Sequence, residues 1–204
     1  LGQRSVKGVS RLIEAYAVES EIPRHEQVAV PPSTPMLARE TELQTLLDTW
    51  KLARSGSGGV VIVEGEPGIG KSRLIGEFRQ RIQSSASIVT LSCRAHDQLS
   101  AFQPVVDWLH SHLHLGANAS VGTLRQQLYT ELHKRVSVMD CEAPLASLLG
   151  IATAEQETEL PTAPTRRRRR IIEAVNRIIS WSDRPSPLVV LVEDCHWADE
   201  STID

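Results

Sequence analysis

The sequence has no apolar run approaching the length of a bilayer span; its longest, Val60 to Val63 and Leu188 to Val192, are of strand length. No charged-then-apolar leader opens it, so nothing points to a membrane helix or a secretory route, and a cytoplasmic setting is expected. Cysteine is scarce. Cys93, Cys141 and Cys195 are an odd number with no C-x-x-C spacing, which argues against a disulfide framework and a zinc knuckle and leaves reduced, mostly buried thiols. An excess of one charge is also lacking: 22 Lys+Arg stand against 25 Asp+Glu, a net charge of −3, so nothing draws the chain as a whole to nucleic acid or an anionic membrane. What is present is enough apolar material, 41% of 204 residues, for one domain and part of another. Because the chain starts at Leu1 rather than Met and stops at Asp204 within a continuing pattern, it is expected to be a piece of a longer polypeptide.

One stretch breaks the expected core. GEPGIGKS, Gly65 to Ser72, follows the strand-like VVIVE, and its Gly65, Gly70, Lys71 and Ser72 satisfy G-x-x-x-x-G-K-S. Glycines allow the backbone to wrap successive N–H groups around phosphate oxygens, and a helix starting near Lys71 aims its positive dipole end at the same anion. The loop Gly65, Glu66, Pro67, Gly68, Ile69 and Gly70, continuing into Lys71, Ser72 and Arg73, is therefore the candidate nucleotide cradle. Lys71 would reach the β- and γ-phosphates of ATP, and the Ser72 hydroxyl would face Mg²⁺. The context fits: Val60 to Glu64 reads as a buried parallel strand, and Lys71 to Arg81 carries Leu74, Ile75 and Phe78 at helical spacing.

Such a loop calls for a second element, an apolar strand ending in carboxylates. PLVVLVEDCHWAD, Pro187 to Asp199, supplies it: Leu188 to Val192 reads as a buried strand with Glu193 and Asp194 at its carboxyl end, where open α/β sheets bind ligands. Both acids are candidate Mg²⁺ ligands and catalytic groups. By position Glu193 would hold Mg²⁺ through water and Asp194 would polarise the attacking water, although the two roles could be exchanged, because successive strand residues face opposite ways.

Together, "ARETEL" (Ala38 to Leu43), "VVIVEGEPGIGKSRL" and "VVLVEDCHWADEST" resemble the STAND/AAA-like P-loop ATPases that occur in large bacterial regulators and downstream of class III nucleotide cyclase domains. The resemblance covers about residues 36 to 204. It implies that Arg39 contributes to the nucleotide pocket, that Ala38 stands where glycine is usual, and that His196, Trp197 and Asp199 continue the acidic motif. A nucleotide-dependent oligomer is a further possibility of such domains. At the other end, "LGQRSVKGVSRLIEAYAVES", Leu1 to Ser20, is similar to the last hairpin of a class III adenylate/guanylate cyclase domain: Lys7, Gly8, Ile13, Tyr16 and Val18 match, whereas Leu12 replaces the usual proline. On that resemblance the cyclase's metal carboxylates lie upstream, and further sensor or output domains of the same polypeptide lie downstream.

The expected organisation is thus a cyclase-like tail (1–20), a proline-rich linker (21–35) and an ATPase domain (36–204). Its fold class is α/β, a parallel sheet flanked by helices with an inserted helical segment and an incomplete set of strands. Arg39 to Leu52 carries Leu43, Leu46, Leu47 and Trp50 on one face; Ser87 to Cys93 reads as a second strand; Phe102 to Leu115, Leu124 to Val136 and Leu145 to Ile151 read as helices; Thr153 to Thr165 reads as a flexible joint. Of His110, His112 and His114, only the first and last share a helical face, so surface histidines are the default. Arg166 to Arg170 open a helix whose Ile171, Ile172, Val175 and Ile178 face the core, and read as a solvated or partner-facing surface, any one of them a candidate phosphate sensor. Two functions follow: an ATPase, or a switch that binds ATP, hydrolyses little and controls a neighbouring cyclase or output domain.

Overall fold

Apolar period places most of the helices, while strands form only where a neighbour completes them. In the computed structural model the described residues are 2–4, 13–15, 38–98, 100–116, 119–134, 140–180, 186–199 and 202. The chain divides into two compact units, Leu1–Thr34 and Pro35–Asp204. In the first, β1 (Gly2–Arg4) pairs antiparallel with β2 (Ile13–Ala15), Gln3 opposite Glu14. Lys7, Gly8, Leu12, Tyr16 and Val18 of the cyclase-like pattern lie outside the described residues, as does the linker 21–35.

The second unit is organised by a parallel pair, β3 (Ser87–Ser92) beside β4 (Leu188–Glu193), in register from Ser87 opposite Leu188 to Ser92 opposite Glu193. A parallel pair needs a long crossover, and here it is helical. Partners in such a ladder face the same way. Ile88 and Val189 pack against Leu43, Leu46 and Trp50 of α1 (Glu40–Arg54) and Leu74, Phe78 and Ile82 of α2 (Lys71–Ile82). On the opposite side Val89 and Leu91 enter a larger core formed by the crossover. Helices thus pack against both faces of β3 and against one face of β4, part of an α/β layer arrangement.

The crossover comprises α3 (Gln103–His112), α4 (Val121–His133), α5 (Glu142–Leu148), α6 (Ala154–Glu159) and α7 (Pro164–Ser180). Leu109, Leu113, Leu132 and Leu145 are fully buried in its core. Ile171, Ala174, Val175 and Ile178, at spacings of three and four on α7, close it from one side. The start of α4 is capped by Ser120, whose hydroxyl oxygen accepts the Thr123 N–H at 3.2 Å. Among the described residues no helix is long and apolar enough to cross a membrane.

Three expectations need correction. The joint Thr153 to Thr165 contains α6, because Thr153 and Gln156 form a reciprocal capping box and Gln156 Nε2 also donates to Glu142 at 2.8 Å. Val60 to Glu64 is not a buried strand: its backbone is irregular, and Val60 and Ile62 are 91% and 74% exposed. No described strand pairs with it, and β-branched sequence without a ladder partner does not make a strand. Only Val63 reaches the α1–α2 cluster. For a related reason β4 is not buried on both faces; Leu188, Val190 and Val192 stay exposed because the crossover core covers β3 rather than its neighbour.

Candidate nucleotide site

The loop before α2 is shaped by glycine and left electrostatically open. Gly70, the residue preceding α2, has φ 98°, a left-handed conformation that carries a cost for any residue with a Cβ. At Gly65, whose φ is 156°, a Cβ would lie 3.1 Å from Ile69 Cγ2, tighter than an ordinary contact, so a side chain there requires Ile69 to shift. A turn between them is closed by the Ile69 N–H donating to the Glu66 carbonyl at 3.3 Å, with Pro67 and Gly68 at its tip. Helix starts expose unpaired N–H groups and partial positive charge. In α1, Glu40 and Glu42 occupy the first turn; α2 has no acid in its first turn and no side-chain cap. Its end is thus available to an anion.

Lys71 sits at that opening. Its Nζ donates to the Gly65 carbonyl at 2.8 Å and to the Glu66 carbonyl at 3.0 Å, so the ammonium rests over the loop itself. Ser72 is exposed and Arg73 half-buried on the next positions of α2. Arg39 approaches from the start of α1: Nη1 pairs with Glu42 at 2.7 Å, and Nη2 donates to the Ile69 carbonyl at 3.3 Å. The preceding Ala38 has φ 58°, which accounts physically for a preference for glycine there. Arg39, Glu42, Leu46, Val63, Ile69, Lys71 and Leu74 are among the residues lining a cavity of about 250 Å³ between α1 and the loop. Leu46, Val63, Ile69 and Leu74 give it apolar wall, and Arg39 and Lys71, with Glu42 and Glu64 also in the lining, give it charge, a mixture compatible with a base carrying phosphates.

The acids stand at the carboxyl end of β4 in unlike conformations. Glu193 is the last strand residue and, by alternation from Val189, faces the α1–α2 side, where α2 and its loop lie. Ser92, its ladder partner, donates its hydroxyl to Glu193 Oε2 at 3.4 Å. Asp194 leaves the ladder with φ 53° and is exposed, and a single 3₁₀ turn, Cys195–Trp197, follows. The Asp194 carbonyl accepts the Trp197 N–H at 2.9 Å. Negative charge gathers here. Burial pushes the Cys93 thiol above its usual range, and Cys195, Asp199, Asp194 and Asp97 push it further the same way.

A hydroxyl and two carboxylates are hard oxygen donors of the kind Mg²⁺ prefers. Among the described residues no group of three or more His, Cys, Asp or Glu forms a closed metal site.

Sequence reading overlooked Ser92, whose relevance depends on strand register, and gave Asp199 no role. Asp199 is buried, and its Oδ1 accepts the Phe102 N–H at 3.3 Å. The arginine run is partly engaged within the chain. Arg167 donates to Ser147 Oγ at 2.6 Å and to Glu157, Arg169 donates to Glu173 at 3.0 Å, and the Arg168 guanidinium lies 5.7 Å from the Phe102 ring centre. His112 stacks on Trp108 with ring centres 4.8 Å apart.

The family model described as AAA ATPase domain matches residues 35–204. The chain belongs to that family. The AAA domain therefore carries a P-loop α/β fold, with the described parallel pair and helices as part of it. It is 30% identical over 174 residues to an uncharacterized protein of Rhizobium meliloti (strain 1021), a match covering 83% of this chain and 16% of that protein. The chain thus spans about a sixth of that relative's length. No solved structure matches it.

Proposed function

We propose that the AAA domain binds MgATP at Gly65–Ser72 and hydrolyses it. The observation that carries this reading is the convergence of the uncapped start of α2, the glycine-shaped loop and the Lys71 ammonium beside a base-sized cavity. The backbone N–H groups and Lys71 would hold the phosphates, Arg39 would brace the loop through Ile69, and the Glu193–Asp194 pair would orient water toward the γ-phosphate. Bound Mg²⁺, held by Ser72 and the acids, would neutralise charge developing on the phosphate oxygens. Mg²⁺-dependent binding of fluorescent ATP, measured beside Lys71→Ala, tests it. Loss of charge-assisted hydrogen bonds worth ~1.5–3 kcal/mol should weaken binding about 10–100-fold at unchanged thermal stability. Equal binding by both proteins would remove the reading.

A second reading, an ATP-gated switch that turns over little, is favoured by the resting contacts of Lys71 with loop carbonyls and of Ser92 with Glu193. Phosphate release under saturating MgATP separates it from the first. Coupling to a cyclase domain rests on the resemblance of residues 1–20 to the last hairpin of a cyclase domain and of the three ATPase motifs together to ATPases found downstream of such domains. A parent reading frame without upstream cyclase carboxylates would remove that part alone.

A further inference from the structure

Asp199 makes a contact that the nucleotide chemistry does not use. The residue is 6% exposed, and a buried carboxylate is costly unless hydrogen bonds replace its water. Oδ1 accepts the Thr202 N–H at 3.1 Å and the Phe102 N–H at 3.3 Å, and Oδ2 accepts the Thr202 hydroxyl. The Thr202 bonds are local. The Phe102 bond spans 97 positions and joins the turn after Glu193 and Asp194 to the first residue before α3.

Phe102 is itself held in an uncommon state. Its φ is 59°, left-handed for an aromatic residue, which persists only where surroundings impose it. The Asp199 carboxylate engages its N–H, and its ring packs on the crossover core within 5.7 Å of the Arg168 guanidinium. The acid also lies at the start of α3, accepting the N–H of the residue that precedes that helix. A continuous path runs from Glu193 and Asp194 through the 3₁₀ turn to Asp199, and from there to Phe102, α3 and α7.

We propose that Asp199 is a positioning residue: it ties the turn following Glu193 and Asp194 to the start of α3, fixing the acids and making that helix start respond to nucleotide. The inference rests on the ATP reading above. Its test uses the whole chain, with ATP affinity, phosphate release and hydrogen exchange around Phe102 measured on the same preparations, with and without MgATP. In the wild type, MgATP slows exchange at Phe102. Asp199→Ala keeps ATP affinity within about twofold, lowers kcat about 10–100-fold, as loss of an orienting contact does, and abolishes the MgATP effect on exchange. Unchanged kcat, or a joint loss of affinity, turnover and thermal stability, overturns the proposal. Where Asp199→Ala does not fold, the wild-type exchange decides: ATP bound with Phe102 unaffected removes this inference alone. A wild type that binds no ATP removes the ATP reading and this inference with it.

Discussion

The two sides of the β3–β4 pair are built to different standards. On the crossover side, sixteen buried residues among those described, from one strand, several helices and their joints, form a single core, with Leu109, Leu113, Leu132 and Leu145 fully enclosed. On the nucleotide side the cluster has six buried residues, all from α1 and α2, and the adjoining Val60 and Ile62 lie open. Enclosure serves a scaffold; a loop that is to admit a triphosphate, as proposed above, cannot be packed shut. The larger core and the candidate loop therefore lie on opposite faces, so substitutions deep in that core, away from the Asp199–Phe102 link, should leave ATP affinity largely intact.

The strongest way to break that division is Leu145→Ala. It should cost ~2–5 kcal/mol in urea denaturation while the folded fraction keeps its ATP affinity; a loss of affinity in fully folded protein would show the faces to be coupled. Gly70→Ala comes next. Nothing lies within 4 Å of the added Cβ, so only the left-handed backbone resists it, at a cost of ~1–2 kcal/mol, and a reshaped loop should weaken phosphate binding as well. Ala38→Gly should act in the opposite direction, raising stability by ~0.5–1 kcal/mol through relief of the left-handed Ala38, visible as a higher denaturation midpoint.

The smallest effect belongs to the crossover surface. Arg167 holds the Glu157 carboxyl below its ordinary value of 4.5, first through its hydrogen bond. A depressed acid stabilises the fold above the unfolded value, and that contribution is lost as pH falls through the lower folded value. Arg167→Met should therefore flatten stability against pH in the acid range below about 4.5 and leave neutral-pH ATP binding alone. An unchanged acid limb would show that the pair contributes nothing measurable.

Much of the site was legible in the residues because glycine, lysine and helical period are local signals. Gly65, Gly70 and Lys71 announce the loop, and Leu74 and Phe78 announce the stripe of α2. The helix bearing the arginine run was legible for the same reason, through Ile171, Val175 and Ile178. What stayed hidden depends on partners. Val60 to Glu64 has strand composition but no described ladder neighbour, and Ser92 acquires meaning only once register sets it opposite Glu193. The capping box at Thr153 and Gln156 was readable in principle, but the surrounding Thr, Glu and Pro composition masked it.

The resting place of Lys71 makes the loop a filter for charge. Its ammonium already satisfies itself on two carbonyl oxygens, so an arriving anion must offer more than those carbonyls do before the side chain will leave them. A lone phosphate or sulfate brings few oxygens and little help from elsewhere in the pocket, and it competes poorly with a self-satisfied lysine. A triphosphate nucleotide, as proposed, would engage the helix start, the lysine and the cavity at once. On the ATP reading proposed above, the loop would therefore favour the nucleotide over small anions.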